Sequence, residues 1–209
     1  MESALSDGSG QPGLKLIETM LWDGQRFPRL GLHMQRLERS ALALGWDAPL
    51  GVMAALAEMP EGAARVRLTL DRSGALRVET AALPMVMAEW RLVLAGVRLI
   101  SRDPWLQVKS TRRAVYDAAR AALPVGVDEV IFANERGEVC EGAITSVFFD
   151  RGYGMRSPPL RCGVLPGVLR AEMAEVEEVL LAEDLSKVRL WVGNALRGLA
   201  PAIFLRKID

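Results

Sequence analysis

The stretch Trp105-Leu106-Gln107-Val108-Lys109-Ser110-Thr111-Arg112-Arg113 is the part of the sequence on which the fold assignment depends. It contains a lysine, in a chain that takes most of its positive charge from arginine; the other lysines are Lys15, Lys187 and Lys207. At the end of a short strand over Leu106–Lys109, an amine can be desolvated enough to act as a nucleophile or base near neutral pH. The alternative is a surface charge, which local sequence alone favours because lysine is almost never fully buried without a partner.

The sequence before this stretch predicts a small mixed lobe. Leu14–Leu21 has the pattern of a strand, and the Asp-Gly turn at 23–24 predicts a hairpin that returns toward Phe27. Apolar residues at helical spacing predict a helix over Leu32–Leu44, with Gly45 as its left-handed cap. The residues before Leu14 are expected to form a frayed segment. The other predicted elements are a helix over Leu50–Glu58 and an antiparallel meander of strands over Arg65–Leu70, Ala75–Ala81 and Trp90–Leu94.

A crossing between two lobes is predicted near Ile100, because Asp103-Pro104 favours an extended path. The predicted lobes are therefore a small one over 14–100 and a C-terminal one over 101–209 that carries Lys109. Both contain helices and strands, so the fold class is α+β. The second lobe is predicted to hold strands over Leu106–Lys109, Glu129–Ala133, Glu138–Cys140, Ser146–Phe149, Val188–Val192 and Ala202–Leu205, and helices over Ala114–Ala122 and from Pro166 to about Leu181.

Composition narrows the function classes. The chain has 209 residues, and its 26 basic side chains balance 26 acidic ones, so no net field favours nucleic acid or a membrane surface. Two separated cysteines, Cys140 and Cys162, fit neither a disulfide framework nor a zinc site, and we expect a reducing, cytoplasmic location. The single histidine, His33, rules out a multi-histidine metal site. It lies on the apolar stripe of its helix and is interpreted as a packed or hydrogen-bonded core residue.

Six segments, taken together and in order, resemble the class IV aminotransferases, the fold type IV enzymes that depend on pyridoxal phosphate. Each motif alone is weak, but the resemblance extends from Leu14 to the end of the chain. The family includes branched-chain and D-amino-acid aminotransferases and aminodeoxychorismate lyase. The segments are Leu16–Met20, His33–Leu37, Lys109–Arg113, Asp128–Phe132, Gly137–Gly142 and Leu165–Arg170.

The resemblance implies a two-lobed, D-amino-acid aminotransferase-like fold and roles for individual residues. The family lysine at Lys109 holds pyridoxal phosphate as a Schiff base and moves the proton of the substrate α-carbon. The acidic residue at Glu141 pairs with the pyridine nitrogen of the cofactor, so that the ring can accept electrons. A strand-end surface glutamate is the alternative for Glu141, but its place within Glu-Gly-Ala-Ile-Thr favours the functional role.

Three further features are implied to bind the cofactor phosphate. Arginine at Arg36 offers a planar fork of donors. The start of the helix after Pro166 offers backbone amides, and the loop containing Asn194 and Ala195 offers a third contact. The alternatives are a solvated arginine on the first helix and an ordinary helix start. The implied helix amides are those of Gly167, Val168 and Leu169.

The sequence departs from the family pattern at Ala114, where branched-chain members have a tyrosine, and at Ser146 and Ala195. The runs 109–117 and 193–199 look more like the lyase branch, so we expect 4-amino-4-deoxychorismate lyase, which releases pyruvate and 4-aminobenzoate for folate synthesis. Arg112 or Arg113 is then a candidate for a substrate carboxylate, or merely a solvated charge. Amino-acid aminotransferase activity and a non-catalytic binding module are the alternatives. Family members are usually homodimers, so a homodimer is expected by analogy.

Overall fold

The computed structural model describes residues 2–173 and 176–205, which form two compact units. The first unit contains residues 1–85, 108–112 and 195–197, and the second contains 86–107, 113–194 and 198–209. The chain therefore first passes from one unit to the other at Met85, earlier than the predicted boundary near Ile100, and Lys109 is counted with the first unit. No helix of the described residues is long and apolar enough to cross a membrane.

The first unit is built on a three-stranded antiparallel sheet in the order β1-β2-β3. Along β2, Val66, Leu68 and Leu70 are buried while the residues between them are half-buried or exposed. This alternation is typical of a sheet with one face on the core. The elements of this unit are α1 (Glu2–Ser9), β1 (Lys15–Trp22), α2 (Leu30–Ala43), α3 (Val52–Ala55), β2 (Ala64–Asp71) and β3 (Leu76–Ala81).

Helix α2 forms much as the sequence predicts, and its buried residues include Leu37 and Ala41. The helix ends at Ala43, and Gly45, two residues later, has a φ of 66°, in the left-handed region that a side chain rarely adopts. Strands β2 and β3 form the predicted hairpin around the turn at 72–75.

Several predictions for the first unit are wrong. The turn after β1 leads into α2 instead of a returning strand, because β1 pairs with β2, more than forty residues later along the chain. The predicted helix over Leu50–Glu58 is a single turn, and the predicted frayed N-terminus contains α1. The strand predicted from Trp90 belongs to the other sheet. Which distant strands pair with each other depends on tertiary contacts, and local sequence periodicity does not show it.

The second unit contains a seven-stranded mixed sheet in the order β6-β5-β4-β10-β9-β7-β8. Strand β4 lies parallel to both β5 and β10, and the other neighbours are antiparallel. The elements are β4 (Trp90–Leu99), α4 (Ala114–Ala121), β5 (Glu129–Asn134), β6 (Val139–Gly142), β7 (Ser146–Asp150), β8 (Met155–Arg156), α5 (Val168–Met173), β9 (Arg189–Asn194) and β10 (Gly198–Phe204), with 3-10 turns at Pro104–Gln107, Leu160–Cys162 and Ala182–Lys187.

Both faces of this sheet are covered, so every residue of β5 is buried. One apolar cluster contains Phe132 and packs against α4, and the other contains Ile131 and packs against the segment that includes Leu185. A strand buried on both sides has no polar face, which explains the apolar run 130–133 at its centre.

Two predictions for the second unit are wrong. Residues Leu106–Lys109 do not form a strand, because Pro104–Gln107 is a 3-10 turn. The helix predicted from Pro166 to about Leu181 ends at Met173; residues 174 and 175 lie outside the described residues, and residues 176–181 are not helical. The other predicted strands are present, with ends shifted by at most four residues.

Candidate active site

Lys109 is fixed in the first unit by backbone pairing with β1. Its carbonyl accepts a hydrogen bond from the Ile17 amide at 2.9 Å, and the Thr111 amide donates to Lys15 O at 2.8 Å. Ser110 and Leu16 form the antiparallel bridge between these two bonds. In this register Lys109 stands opposite Ile17, so the half-buried lysine lies at a defined place beside the sheet.

Arg36 is a buried cation held by a buried carboxylate in the same unit. Its Nε donates to Glu18 Oε1 at 2.8 Å and its Nη2 to Glu18 Oε2 at 2.5 Å. The His33 Nδ1 lies 2.6 Å from Glu18 Oε2. All three residues are at most 4% exposed. The structure confirms that His33 is a hydrogen-bonded core residue.

The charge on Glu18 decides how firmly Arg36 is held. Burial alone raises the pKa of Glu18, but the Arg36 charge and the hydrogen bonds from Arg36 and His33 outweigh it and lower the pKa to about 2. Glu18 is therefore ionised at neutral pH. A two-point bond to a carboxylate fixes the plane of a guanidinium, so Glu18 sets the orientation of Arg36.

Glu141 is a buried carboxylate of the second unit, and both of its oxygens accept hydrogen bonds. The Tyr116 hydroxyl donates to its Oε1 at 2.8 Å, and the Leu165 amide donates to its Oε2 at 3.0 Å. Burial, followed by the Glu141 charge and this hydrogen bond, raises the pKa of Tyr116 well above its usual range, so the phenol keeps its proton. The Tyr116 ring also packs edge-on against Phe132. Glu141 is thus held in one orientation.

The turn that follows Glu141 is held by Glu129, a fully buried carboxylate at the start of β5. Its Oε2 accepts from the Ile144 amide at 3.1 Å and from the Thr145 hydroxyl at 3.0 Å. Its Oε1 accepts from Arg120 at 3.3 Å. Burial outweighs these donors and raises the pKa of Glu129 above its ordinary value. The turn also requires glycine at position 142, because a Cβ there would collide with the Thr145 hydroxyl.

The start of α5 lies tightly against β7. A Cβ on Gly167 would stand 2.6 Å from the Ser146 Oγ, so this approach requires glycine. The Gly167 amide donates to the Leu165 carbonyl at 2.7 Å. Of the amides predicted to meet a phosphate, those of Val168 and Leu169 follow this turn, and their role stays a prediction.

The loop between β9 and β10 contains the other predicted phosphate contacts. Within the second unit, the Asn194 side chain donates to Ile144 O at 3.0 Å and so braces the turn after Glu141. Within the first unit, the Ala195 carbonyl accepts from Arg29 at 3.2 Å. These bonds hold the start of the loop, and its predicted contact with a phosphate is untested.

The two candidate substrate arginines differ in their surroundings. Arg113 is bound on two sides, to Asp117 at 2.7 Å and to the Ala143 carbonyl at 3.1 Å. It therefore ties α4 to the turn after Glu141. Arg112 is exposed, and its amide donates to the Ser110 hydroxyl at 3.3 Å.

Three residues without a predicted site role support the predicted ones. Glu18 orients Arg36, Tyr116 holds Glu141, and Glu129 holds the turn that follows. Tyr116 could not be found by family position, because the expected tyrosine position is Ala114. Tyr116 lies two residues further along α4, and from there its hydroxyl reaches Glu141.

Comparisons with known proteins identify the family to which this chain is similar. The model of the family described as amino-transferase class IV matches residues 15–203. A Schizosaccharomyces pombe protein named "Putative aminodeoxychorismate lyase" is 31% identical over 169 residues, covering 77% of this chain and 73% of that protein. A crystal structure of a "Putative amino-acid aminotransferase" from Mesorhizobium loti is 42% identical with a TM-score of 0.86, covering 92% of this chain and 100% of that one.

A third comparison concerns the fold alone. A hypothetical aminotransferase from Mycobacterium tuberculosis in its PLP-bound form is 21% identical with a TM-score of 0.76, covering 93% of this chain and 81% of that one.

The chain belongs to the amino-transferase class IV family, and it is a pyridoxal-phosphate-dependent enzyme of fold type IV. The described residues fit this cofactor by their chemistry. A half-buried amine suits its aldehyde, a buried and oriented guanidinium suits its phosphate, and a buried carboxylate suits its ring nitrogen. Residues of these kinds are Lys109 and Arg36 in the first unit and Glu141 in the second, and their roles toward the cofactor stay predictions.

Proposed function

We propose that this enzyme is a 4-amino-4-deoxychorismate lyase that releases pyruvate and 4-aminobenzoate. The observation that carries the proposal is the likeness to the fission-yeast protein of that name, at 31% identity over 77% of this chain. The runs 109–117 and 193–199, which resemble the lyase branch, support it. Membership of the family establishes pyridoxal-phosphate chemistry. It does not establish which reaction the enzyme catalyses, so the reaction needs a test.

The cofactor, when bound, withdraws electrons from the substrate carbon that carries the amine. Lys109 holds the cofactor through its Nζ and then moves the proton of that carbon. Glu141 keeps a proton on the ring nitrogen, and the donors from Tyr116 and Leu165 keep its carboxylate in place. Arg36 binds the phosphate, with its guanidinium plane set by Glu18. The amides of Val168 and Leu169 and the loop at Asn194 and Ala195 are proposed as additional phosphate contacts.

Amino-acid aminotransferase activity is the second candidate. It is favoured by the 42% identity to the Mesorhizobium loti protein, which is named an amino-acid aminotransferase. Both reactions begin with removal of a proton from the same kind of carbon, so the residues described above serve either one. The reactions differ in what happens next: a lyase expels a substituent, whereas an aminotransferase needs a 2-oxo acid acceptor.

Two assays on the loaded enzyme separate the candidates. Pyruvate is measured by a coupled lactate dehydrogenase reaction after 4-amino-4-deoxychorismate is added without any 2-oxo acid. The visible spectrum is then followed while single amino acids are added. Pyruvate release with an unchanged spectrum supports the lyase. Loss of the aldehyde absorbance on adding an amino acid, reversed by a 2-oxo acid, supports the aminotransferase and contradicts the lyase assignment.

We further propose that the enzyme is a homodimer, by analogy with its family. Light scattering during size-exclusion chromatography tests this directly, since the 22.8 kDa chain would elute at about twice its own mass. A mass equal to one chain over the working concentration range would contradict it.

A further inference from the structure

The start of β7 packs against the residue that precedes α5. Ser146, the first residue of β7, is 8% exposed, and its hydroxyl oxygen would stand 2.6 Å from a Cβ on Gly167. The hydroxyl therefore points at the backbone immediately before Val168, the first residue of α5. The absence of a side chain at Gly167 is what allows this approach.

The end of β9 meets the same part of α5. Ser146 pairs with Gly193 across the sheet, and a Cβ on Gly193 would stand 2.7 Å from Leu169 Cδ2. Cross-strand partners lie on one face of a sheet, so the first turn of α5 covers the row formed by Ser146 and Gly193. Ser146 thus lies between two backbone segments of the second unit that are proposed phosphate contacts. One is the pair of amides after Gly167, and the other is Asn194.

The Ser146 hydroxyl makes no bond to the rest of the protein. Within residues 2–173 and 176–205, no hydrogen bond joins this side chain to another residue. A hydroxyl that is removed from bulk water without a partner costs free energy. The Ser157 hydroxyl is also buried without a partner, but Ser157 is sealed from solvent at 0% exposure. Ser146 keeps a small accessible area through which a ligand can reach it.

The other proposed phosphate contacts leave room for a hydroxyl donor. Val168, Leu169 and Ala195 have no side-chain donor, and the Asn194 side chain is used by the Ile144 carbonyl. A phosphate has several acceptor oxygens, so backbone amides alone do not exhaust them. A serine hydroxyl rotates to suit its acceptor, and its bond to an anionic oxygen is stronger than a bond between neutral groups.

We propose that Ser146 is a cofactor-binding residue whose hydroxyl donates a hydrogen bond to the phosphate of pyridoxal phosphate. This inference rests on the phosphate contacts proposed for residues 168–169 and Asn194. It gives a role to a position where the sequence departs from the family pattern. The role is the same for a lyase and for an aminotransferase, because Ser146 takes no part in proton transfer.

The test compares pyridoxal phosphate with pyridoxal, which has the same ring and aldehyde and lacks only the phosphate. The cofactor is removed by dialysis against cysteine, and dissociation constants are measured by absorbance titration of wild type, Ser146→Ala and Ser157→Ala. Both substitutions remove, from the second unit, a buried hydroxyl that has no partner among the described residues. Ser146→Ala should weaken pyridoxal phosphate about 10- to 100-fold, as expected for one charge-assisted bond, and leave pyridoxal within about twofold. Ser157→Ala should leave both ligands within about twofold.

A role of Ser146 in packing alone predicts unchanged affinities, because alanine is also small enough to lie against Gly167, and that result would overturn the proposal. Equal weakening of both ligands in Ser146→Ala, or the same loss in Ser157→Ala, would also overturn it. A wild-type protein that binds both ligands equally well would contradict the contacts at 168–169 and Asn194 too. If wild type prefers pyridoxal phosphate and Ser146→Ala changes neither affinity, only the role of Ser146 is wrong.

Discussion

The Tyr116 hydroxyl donates a hydrogen bond to Glu141 Oε1 at 2.8 Å, inside the second unit. The tyrosine belongs to α4 and the glutamate to β6, so the bond links a helix to the sheet it covers. It reaches the carboxylate that we propose to pair with the ring nitrogen of the cofactor. The raised pKa of Tyr116 means that the hydroxyl stays a donor across the working pH range.

Substitutions of Glu141 and Tyr116 are predicted to affect turnover and stability to different extents. Glu141→Gln keeps the shape of the side chain but removes its charge, so turnover should fall by at least about 100-fold while the protein stays folded. Tyr116→Phe removes one donor to that charge and should lower stability by about 1–3 kcal/mol, with a smaller effect on turnover. Steady-state kinetics and urea unfolding measure both. If Glu141→Gln and Tyr116→Phe lost the same amount of turnover, turnover would not depend on the charge of Glu141.

Glu18→Gln should destabilise the protein by about 3–5 kcal/mol at neutral pH, because it leaves the buried Arg36 charge without its counterion. The matched control is Glu38→Gln on the exposed side of α2, which should change stability by less than about 0.5 kcal/mol. Urea midpoints of the three proteins test this. A destabilisation in Glu18→Gln no larger than in the control would show that the ion pair contributes nothing.

The same ion pair predicts how stability depends on pH. The pKa of folded Glu18 is about 2, below the ordinary value of 4.5, so its contribution is fully present above 4.5. The contribution is lost as pH falls from 4.5 through about 2, since the folded protein then binds the proton that the unfolded chain already holds. The stability difference between wild type and Glu18→Gln should shrink over that range. A constant difference would mean that the charge of Glu18 is not responsible.

Thr145→Val tests the turn after Glu141 with an almost isosteric change. It removes the hydroxyl that donates to Glu129 Oε2 at 3.0 Å and leaves a buried carboxylate oxygen with one donor fewer. We expect a loss of about 1–3 kcal/mol in unfolding free energy. Thermal denaturation is the measurement, and Thr80→Val, on an exposed position of β3, is the control. Similar melting temperatures for the two variants would count against the bracing role of Glu129.

Glycine substitutions test the close approach of β9 to its neighbours. A Cβ on Gly193 would collide with the Gly198 carbonyl and stand 2.7 Å from Leu169 Cδ2, so Gly193→Ala should be strongly destabilising. Gly31→Ala is the control, because nothing lies within 4 Å of that Cβ and α2 favours alanine. We expect this control to be neutral or more stable by up to about 1 kcal/mol. If Gly193→Ala and Gly31→Ala melted at similar temperatures, β9 would be able to move away from Leu169.

Most regular elements of this fold can be predicted from the sequence, because their signals are local. Helix α2 shows a clear apolar stripe followed by Gly45, and the centre of β5, residues 130–133, is apolar because both faces of the strand are covered. The pairing of β1 with β2, and the placement of β4 in the larger sheet, depend on contacts between distant segments and leave no periodic signal. Local pattern therefore misassigns the first hairpin and the third strand of the meander.

The residues of the candidate site also differ in whether the sequence alone reveals them. Family resemblance points to Lys109, Arg36 and Glu141, whose chemistry the cofactor requires. The residues that hold them in place, Glu18 and Tyr116, are visible only from geometry, since each acts through a contact with a residue far away in the sequence.

Borohydride reduction of the loaded protein, followed by peptide mapping, shows whether Lys109 carries the cofactor. We expect one reduced pyridoxyl adduct, located on Lys109, and no adduct in Lys109→Ala. An adduct spread over Lys15, Lys187 and Lys207, or no adduct at all, would contradict it.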